Sequence, residues 1–291
     1  MDNDPSLANA RGYTAEQARR FREDLQKLRN AGPGVQMDLA HLAGQLTVER
    51  ARTFANQALG RRLPVVLRCV ENIYRIFPPD RQRFLSQDEC SDVAIQLHAF
   101  AINVYALFDN IAWICVLESG ANIPPLKIGL YKPECQPYLP AKLVEYLNEP
   151  TALTWYRTYG KLYRDSTAHR IAPYLPQRAY TPDEGESWRE LHGRSLQALR
   201  EAATTADRGS RMLKLDEHER LNEQKESIGS NSLLVALSLT GEDASPAVYL
   251  HPQLLCDLGL AHELVRTFAA ALRAAYGWSS PAIPAMTVGA Q

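Results

Sequence analysis

Apolar positions recur three and four residues apart along most of the chain, a spacing that predicts a mainly α protein. Thr14 with Gln17 three residues on is a capping-box signature. It predicts a first helix through Asn30, stopped by the Ala31-Gly32-Pro33-Gly34 breaker. A second helix is expected over 38–60 and a third over 64–77, opened by Pro64 and closed by Pro78-Pro79. The longest apolar stretch follows, from about Asp88 to Glu118. Its residues are hydrophobic nearly all round, so neighbours are expected on every side.

From Gly120 to Pro140 the pattern is lost in a proline-rich segment, read as an ordered loop. Helical spacing resumes at KLVEYLNE and at TALTWYRTYGKLYRDSTAHR, which should end near Pro173. A charged helical insert is expected near 181–228, too polar to lie deep inside. SLLVALSL and PAVYL, separated by TGEDAS, predict a short β-hairpin. A last amphipathic helix, HPQLLCDLGLAHELVRTFAAALRAAYG, precedes a loose tail at 279–291. The expected organisation is thus an N-terminal helical extension over 1–85 and a helical domain over 86–278.

Charge and composition narrow the function classes. Lys+Arg 32 against Asp+Glu 33 give a formal charge of -1, so no global basic field advertises nucleic-acid binding, and any such surface must be local. Cys69, Cys90, Cys115, Cys135 and Cys256 are scattered without a C-x-x-C pair, and the first residues show no export signal; a cytoplasmic setting is expected. The stretch from Leu97 to Leu117 could pass for a membrane span. Asp109, with Asn103 and Asn110, would then put a charge near mid-bilayer at ~2.5–3.5 kcal/mol, so a buried core helix is expected instead. Asn103 and Asn110 are seven apart and share a face. Hydrogen-bonded core roles are favoured for them, with site-lining by Asn103, Asp109 and Asn110 left open.

No phosphate-cradling glycine loop, nucleophile elbow or histidine pair at metal-ligand spacing is present, so neither a cofactor nor a metal is expected. A Ser/His/Asp triad assembled from distant positions stays open. His192, His218, His251 and His262 are assigned surface or helix-cap roles by default.

The stretch YRDSTAHRIAPYLP, Tyr163 to Pro176, is the densest in chemistry. On a regular helix Arg164 and His169 are roughly 140° apart, but a long arginine can swing toward the same rim. Asp165 and His169 are four apart, where a carboxylate can accept the imidazole N–H and fix its tautomer. Trp155, Tyr156, Arg157, Tyr159, Lys161, Tyr163, Arg170, Tyr174 and Arg178 surround them with a locally basic and aromatic sequence. The same residues also suit a plain helix end, whose dipole favours His169 and Arg170, with the tyrosines in the core.

With the ALFDNIAW helix and the WY-containing helix before it, this string resembles the HEPN superfamily, the higher eukaryotes and prokaryotes nucleotide-binding proteins. The likeness covers about Asp88 to Gln177. It implies a HEPN-like helical bundle and, in the ribonuclease members, an R-x4-H motif, here Arg164, Asp165 and His169. It further implies metal-independent endoribonuclease action through the ribose 2′-hydroxyl, and a homodimer bringing two motifs to one cleft. His169 would transfer protons, since an imidazole has a reference pKa of about 6.5. Arg164 would stabilise the phosphorane charge, and Asp165 would orient His169. Tyr163 and Tyr174, with Tyr159, would stack unpaired bases, while Arg157, Lys161 and Arg170 would track phosphates of the RNA. A toxin or phage-defence role with a neutralising protein partner is one expectation. Two alternatives stand: a catalytically silent HEPN-like module that binds RNA or nucleotide or dimerises, and a helical structural protein in which Arg164 and His169 only cap a helix.

Overall fold

A computed structural model describes residues 12–237 and 247–281. The TGEDAS segment, residues 282–291 of the expected tail and the first eleven residues lie outside the described residues.

The structure is mainly helical, with two small antiparallel strand pairs. Helix α1 (Ala15–Gln45) opens with the expected capping box between Thr14 and Gln17, but runs straight through Pro33 rather than stopping there. An interior proline costs ~3 kcal/mol. Val35, Leu39 and Leu42, which follow it, are fully buried at about 1.5–3 kcal/mol each, so burial outweighs the lost bond.

Likewise Pro64 does not open a helix. α2 (Glu49–Thr53) passes through a wide π turn (Phe54–Leu59) into α3 (Gly60–Ile76), with Pro64 inside. Ahead of α2, the buried Glu118 carboxylate accepts the Thr47 N–H at 2.7 Å and the Val48 N–H at 3.1 Å, tying that turn to the central helix.

That central helix, α4 (Gln87–Glu118), starts one residue from the expected boundary, at a Ser86–Glu89 capping box. It is long and apolar enough to cross a membrane, and 56% of its most apolar window is buried. It packs against α3, α10 (Leu250–Tyr276) and the helix of the YRDSTAHR motif. The expected neighbours on every side are missing on one stripe, where Ile95 is 60% and Ile102 41% exposed.

The loop to Pro140 is irregular as expected, and α5 (Ala141–Asn148) follows. α6 (Pro150–Trp155), a second π turn (Tyr156–Gly160) and α7 (Lys161–His169) then form one continuous helix. The charged segment is not a single helix. It folds back as α8 (Pro182–Thr204) and α9 (Arg208–Glu226), separated at Thr205–Asp207, where Asp207 caps α9 by accepting the Ser210 N–H. These two helices pack chiefly on each other. At their base β1 (Arg178–Ala179) pairs with β2 (Ser230–Asn231). The expected hairpin is present as β3 (Leu234–Val235) and β4 (Val248–Tyr249).

One continuous core joins α1–α3 to α4, α5 and α10. The buried Arg273 guanidinium near the end of α10 reaches Asp38 Oδ1 at 2.6 Å and Gln45 Oε1 at 3.1 Å on α1. His251 and His262 are buried in α10, not at the surface or in a cap role. Helical phase decides this, because both lie on the stripe that includes Leu254, Leu258 and Val265.

Candidate functional site

α7 carries the R-x4-H motif against one face of α4, and its end is tied down where a His98 ring nitrogen lies 2.7 Å from the Pro173 carbonyl oxygen. Arg164 leans onto α4, its guanidinium carbon 5.2 Å from the Tyr105 ring centroid. Its Nη1 donates to Asp165 Oδ1 at 2.7 Å. That bond, helped by the nearby Tyr105 and Asp109, holds the guanidinium pKa above its ordinary value.

Asp165 does not bond to His169. Its other oxygen accepts from Lys161 Nζ at 3.0 Å. Burial pushes the Asp165 pKa upward, but the hydrogen bonds from Arg164 and Lys161 outweigh it and keep the carboxyl below its usual range. The expected orienting contact loses because Lys161, also one turn away, brings a full charge to the same carboxylate.

His169 is the last residue of α7. It is exposed and makes no hydrogen bond or ion pair among the described residues. Around it lie exposed Arg170, Ile171 at 48% and Tyr174 at 39%, the last pinned by a backbone bridge to Ala236.

The remaining expected residues divide. Arg157 and Lys161 are exposed, as phosphate contacts require. Tyr163 is half-buried: its side chain lines a cavity, and its hydroxyl is buried without a hydrogen-bond partner. Its place on α7, one turn from buried Gly160 and three residues before buried Ser166, turns it inward. Tyr159 is half-buried on the wall of the same cavity. Trp155 is buried, and Tyr156 stacks on Tyr131 with centroids 3.8 Å apart. Arg178 is committed to structure, bonding the Glu226 carbonyl at 2.5 Å and lying 4.3 Å over the Phe84 ring.

On α4, Asn103 and Asn110 have core partners. Arg62 of α3 donates to Asn103 Oδ1 at 2.7 Å and to Asn110 Oδ1 at 3.1 Å, so the shared face serves helix packing. Asp109 is different. It is half-buried with no hydrogen bond or ion pair among the described residues, and it feels Arg164, Lys132 and Arg62. Burial raises its pKa despite those three cations. Asp109 therefore lies beside Arg164, whereas Asn103 and Asn110 are spent on Arg62.

Three contributors were not legible as site residues: Arg62, Tyr105 and Lys132. Asp257 was also missed, though a lone carboxylate within LLCDLGL was a usable signal. The chain matches no protein-family model, no curated protein and no solved structure.

Proposed function

We propose that this protein is a cytoplasmic, metal-independent endoribonuclease of HEPN type that acts on RNA as a homodimer. The carrying observation is His169, an exposed imidazole with no protein partner at a helix end, on the same short helix as a half-exposed, charged Arg164. Such an imidazole is accessible to a ribose 2′-hydroxyl and free to accept its proton. The 2′-oxygen attacks the adjacent phosphorus, the 5′-oxygen leaves, and the products are a 2′,3′-cyclic phosphate and a 5′-hydroxyl. Arg164, fixed by Asp165, supplies the cation for the phosphorane charge. Asp165 thereby serves Arg164 rather than His169.

One protomer holds one such imidazole, and the leaving 5′-oxygen needs an acid. A second copy would bring it. The uncovered α4 stripe of Ile95 and Ile102, with Ile171 and Tyr174, supports a dimer surface next to the motif. A toxin or phage-defence role fits such an activity, and a neutralising partner would cover this surface.

The contacts of Asp165 favour a second reading, a catalytically silent HEPN-like module that binds RNA or nucleotide, because nothing orients the imidazole. Incubation of RNA with purified protein in EDTA separates the two. Cleavage that resists the chelator, leaves cyclic phosphate ends and falls at least 100-fold in both Arg164→Ala and His169→Ala establishes the enzyme. Equal activity in all three proteins rejects these roles; tight binding without cleavage establishes the module.

A further inference from the structure

A cavity of about 40 Å³ lies between α4, the α6–α7 helix, the β3–β4 pair and the start of α10. Its walls are apolar and aromatic, with Phe100, Tyr105, Trp155, Tyr159 and Tyr163 contributing rings. Among the described residues, Asp257 is the one charged residue that lines it. Trp155 Nε1 donates to Asp257 Oδ1 at 2.6 Å, and Gln253 Nε2 donates to the same oxygen at 2.7 Å. Oδ2 receives no hydrogen bond, and no cation pairs with the carboxylate among the described residues. The Tyr163 hydroxyl, close enough to feel Asp257, also has no partner, but it is packed in and offers no surface to the cavity.

Carboxylates away from water are normally paired with a cation, as half-buried Asp38 is with Arg273, or satisfied by several hydrogen bonds, as buried Glu118 is by the Thr47 and Val48 N–H groups. Asp257 is half-buried, with two neutral donors on one oxygen and none on the other, in a cavity whose walls are largely rings. A carboxylate among aromatic faces is the chemistry that recognises an organic ammonium: the charge attracts it, the ring quadrupoles attract it, and the apolar walls accept its carbons. Size narrows the class. A water-sized group needs roughly 10–15 Å³ of such volume, so the space takes about three non-hydrogen atoms.

We propose that this cavity binds a small primary alkylammonium ion, its nitrogen donating to Asp257 Oδ2. Trp155 sits where it does because residue 160 is glycine: a Cβ there would come within 2.5 Å of the indole ring. The site is separate from the ribonuclease chemistry and does not depend on it, though Tyr163 directly precedes Arg164 on α7.

The indole N–H of Trp155 touches the carboxylate and reports on it directly. Full-length protein labelled with ¹⁵N-tryptophan is titrated with ethylammonium chloride near pH 8, where a primary amine stays charged. The Trp155 resonance is assigned with Trp155→Phe, and sodium chloride is matched throughout. The expected result is a saturable shift with ethylammonium, no comparable shift with ethanol of the same size, and at least tenfold weaker binding in Asp257→Asn. Tyr159→Leu, which removes a half-buried ring from the wall, should weaken binding several-fold, so it serves even if the Asp257 variant does not fold. An equal response to ethanol would make this a neutral, water-sized cavity and overturn the proposal. So would no saturable shift with ethylammonium, or unchanged affinity in both variants.

Discussion

The last helix and the helix of the R-x4-H motif treat histidine in opposite ways. In α10, His251 is enclosed by Tyr13, Tyr74 and Phe77, and its Nε2 lies 2.7 Å from the Phe77 carbonyl. Burial drives its pKa down to about 4, so it is a neutral N–H donor holding two helices together. In α7, His169 sits at a helix end in water with no partner. The same side chain is mortar in one helix and available in the other. A polar group with its hydrogen bonds satisfied inside is explained by folding; an exposed one without a protein partner is left to water or to a ligand.

The comparison makes graded claims about stability. The largest concerns the α10 core. Phe268 is fully buried, and Phe268→Ala should cost about 3–5 kcal/mol, measured by urea unfolding. A loss under 1 kcal/mol would mean that α10 is not the core element described above.

Next comes pH, where α10 carries two opposed groups. His251 has a folded pKa near 4, below its reference of 6.5, so its contribution is present above pH ~6.5 and lost as pH falls through 4. Asp257 is pushed up to about 7 by burial, against the hydrogen bonds from Trp155 and Gln253. Its raised value reverses the sign: the contribution is present below the reference of 3.8 and lost as pH rises through 7. At ~1.4 kcal/mol per pKa unit the Asp257 contribution is bounded at ~4 kcal/mol. Asp257→Asn should therefore gain stability relative to the wild type between pH 5 and pH 8, read from urea midpoints at both values. Parallel midpoints would show that the carboxylate titrates as if it were in water.

The smallest effect is at the motif. His169→Ala should change stability by less than ~0.5 kcal/mol, since the exposed side chain makes no hydrogen bond or ion pair among the described residues, while removing RNA cleavage. A substantial loss of stability there would make His169 structural and erase the contrast with α10.

Much of the helical layout was legible because burial repeats with the helix period. α4 began within one residue of its expected start, and the capping signatures at Thr14 and at Ser86 formed as such. Local rules failed where distant contacts overrode them. Pro33 and Pro64 were read as breaks, but the buried apolar rows that follow them keep the helices intact. The turn at Thr205–Asp207 was hidden by helix-compatible residues on both sides, and only the packing of α8 on α9 reveals it. At the site, tyrosines with similar local surroundings diverged: Tyr174 stays half in water and Tyr163 lines a cavity.

Periodicity, capping residues and the clustering of arginine, aspartate and histidine are properties of neighbours along the chain, so the helical class and the place of the motif could be read from residue order. Which partner each polar group takes depends on residues tens to hundreds of positions away. Arg62 claims Asn103 and Asn110 from another helix, and Trp155 finds Asp257 102 residues on. Hydrogen bonds act over about 3 Å of space regardless of sequence separation, so only the folded chain could decide whether Asp165 serves Arg164 or His169, and leave Asp257 without a cation.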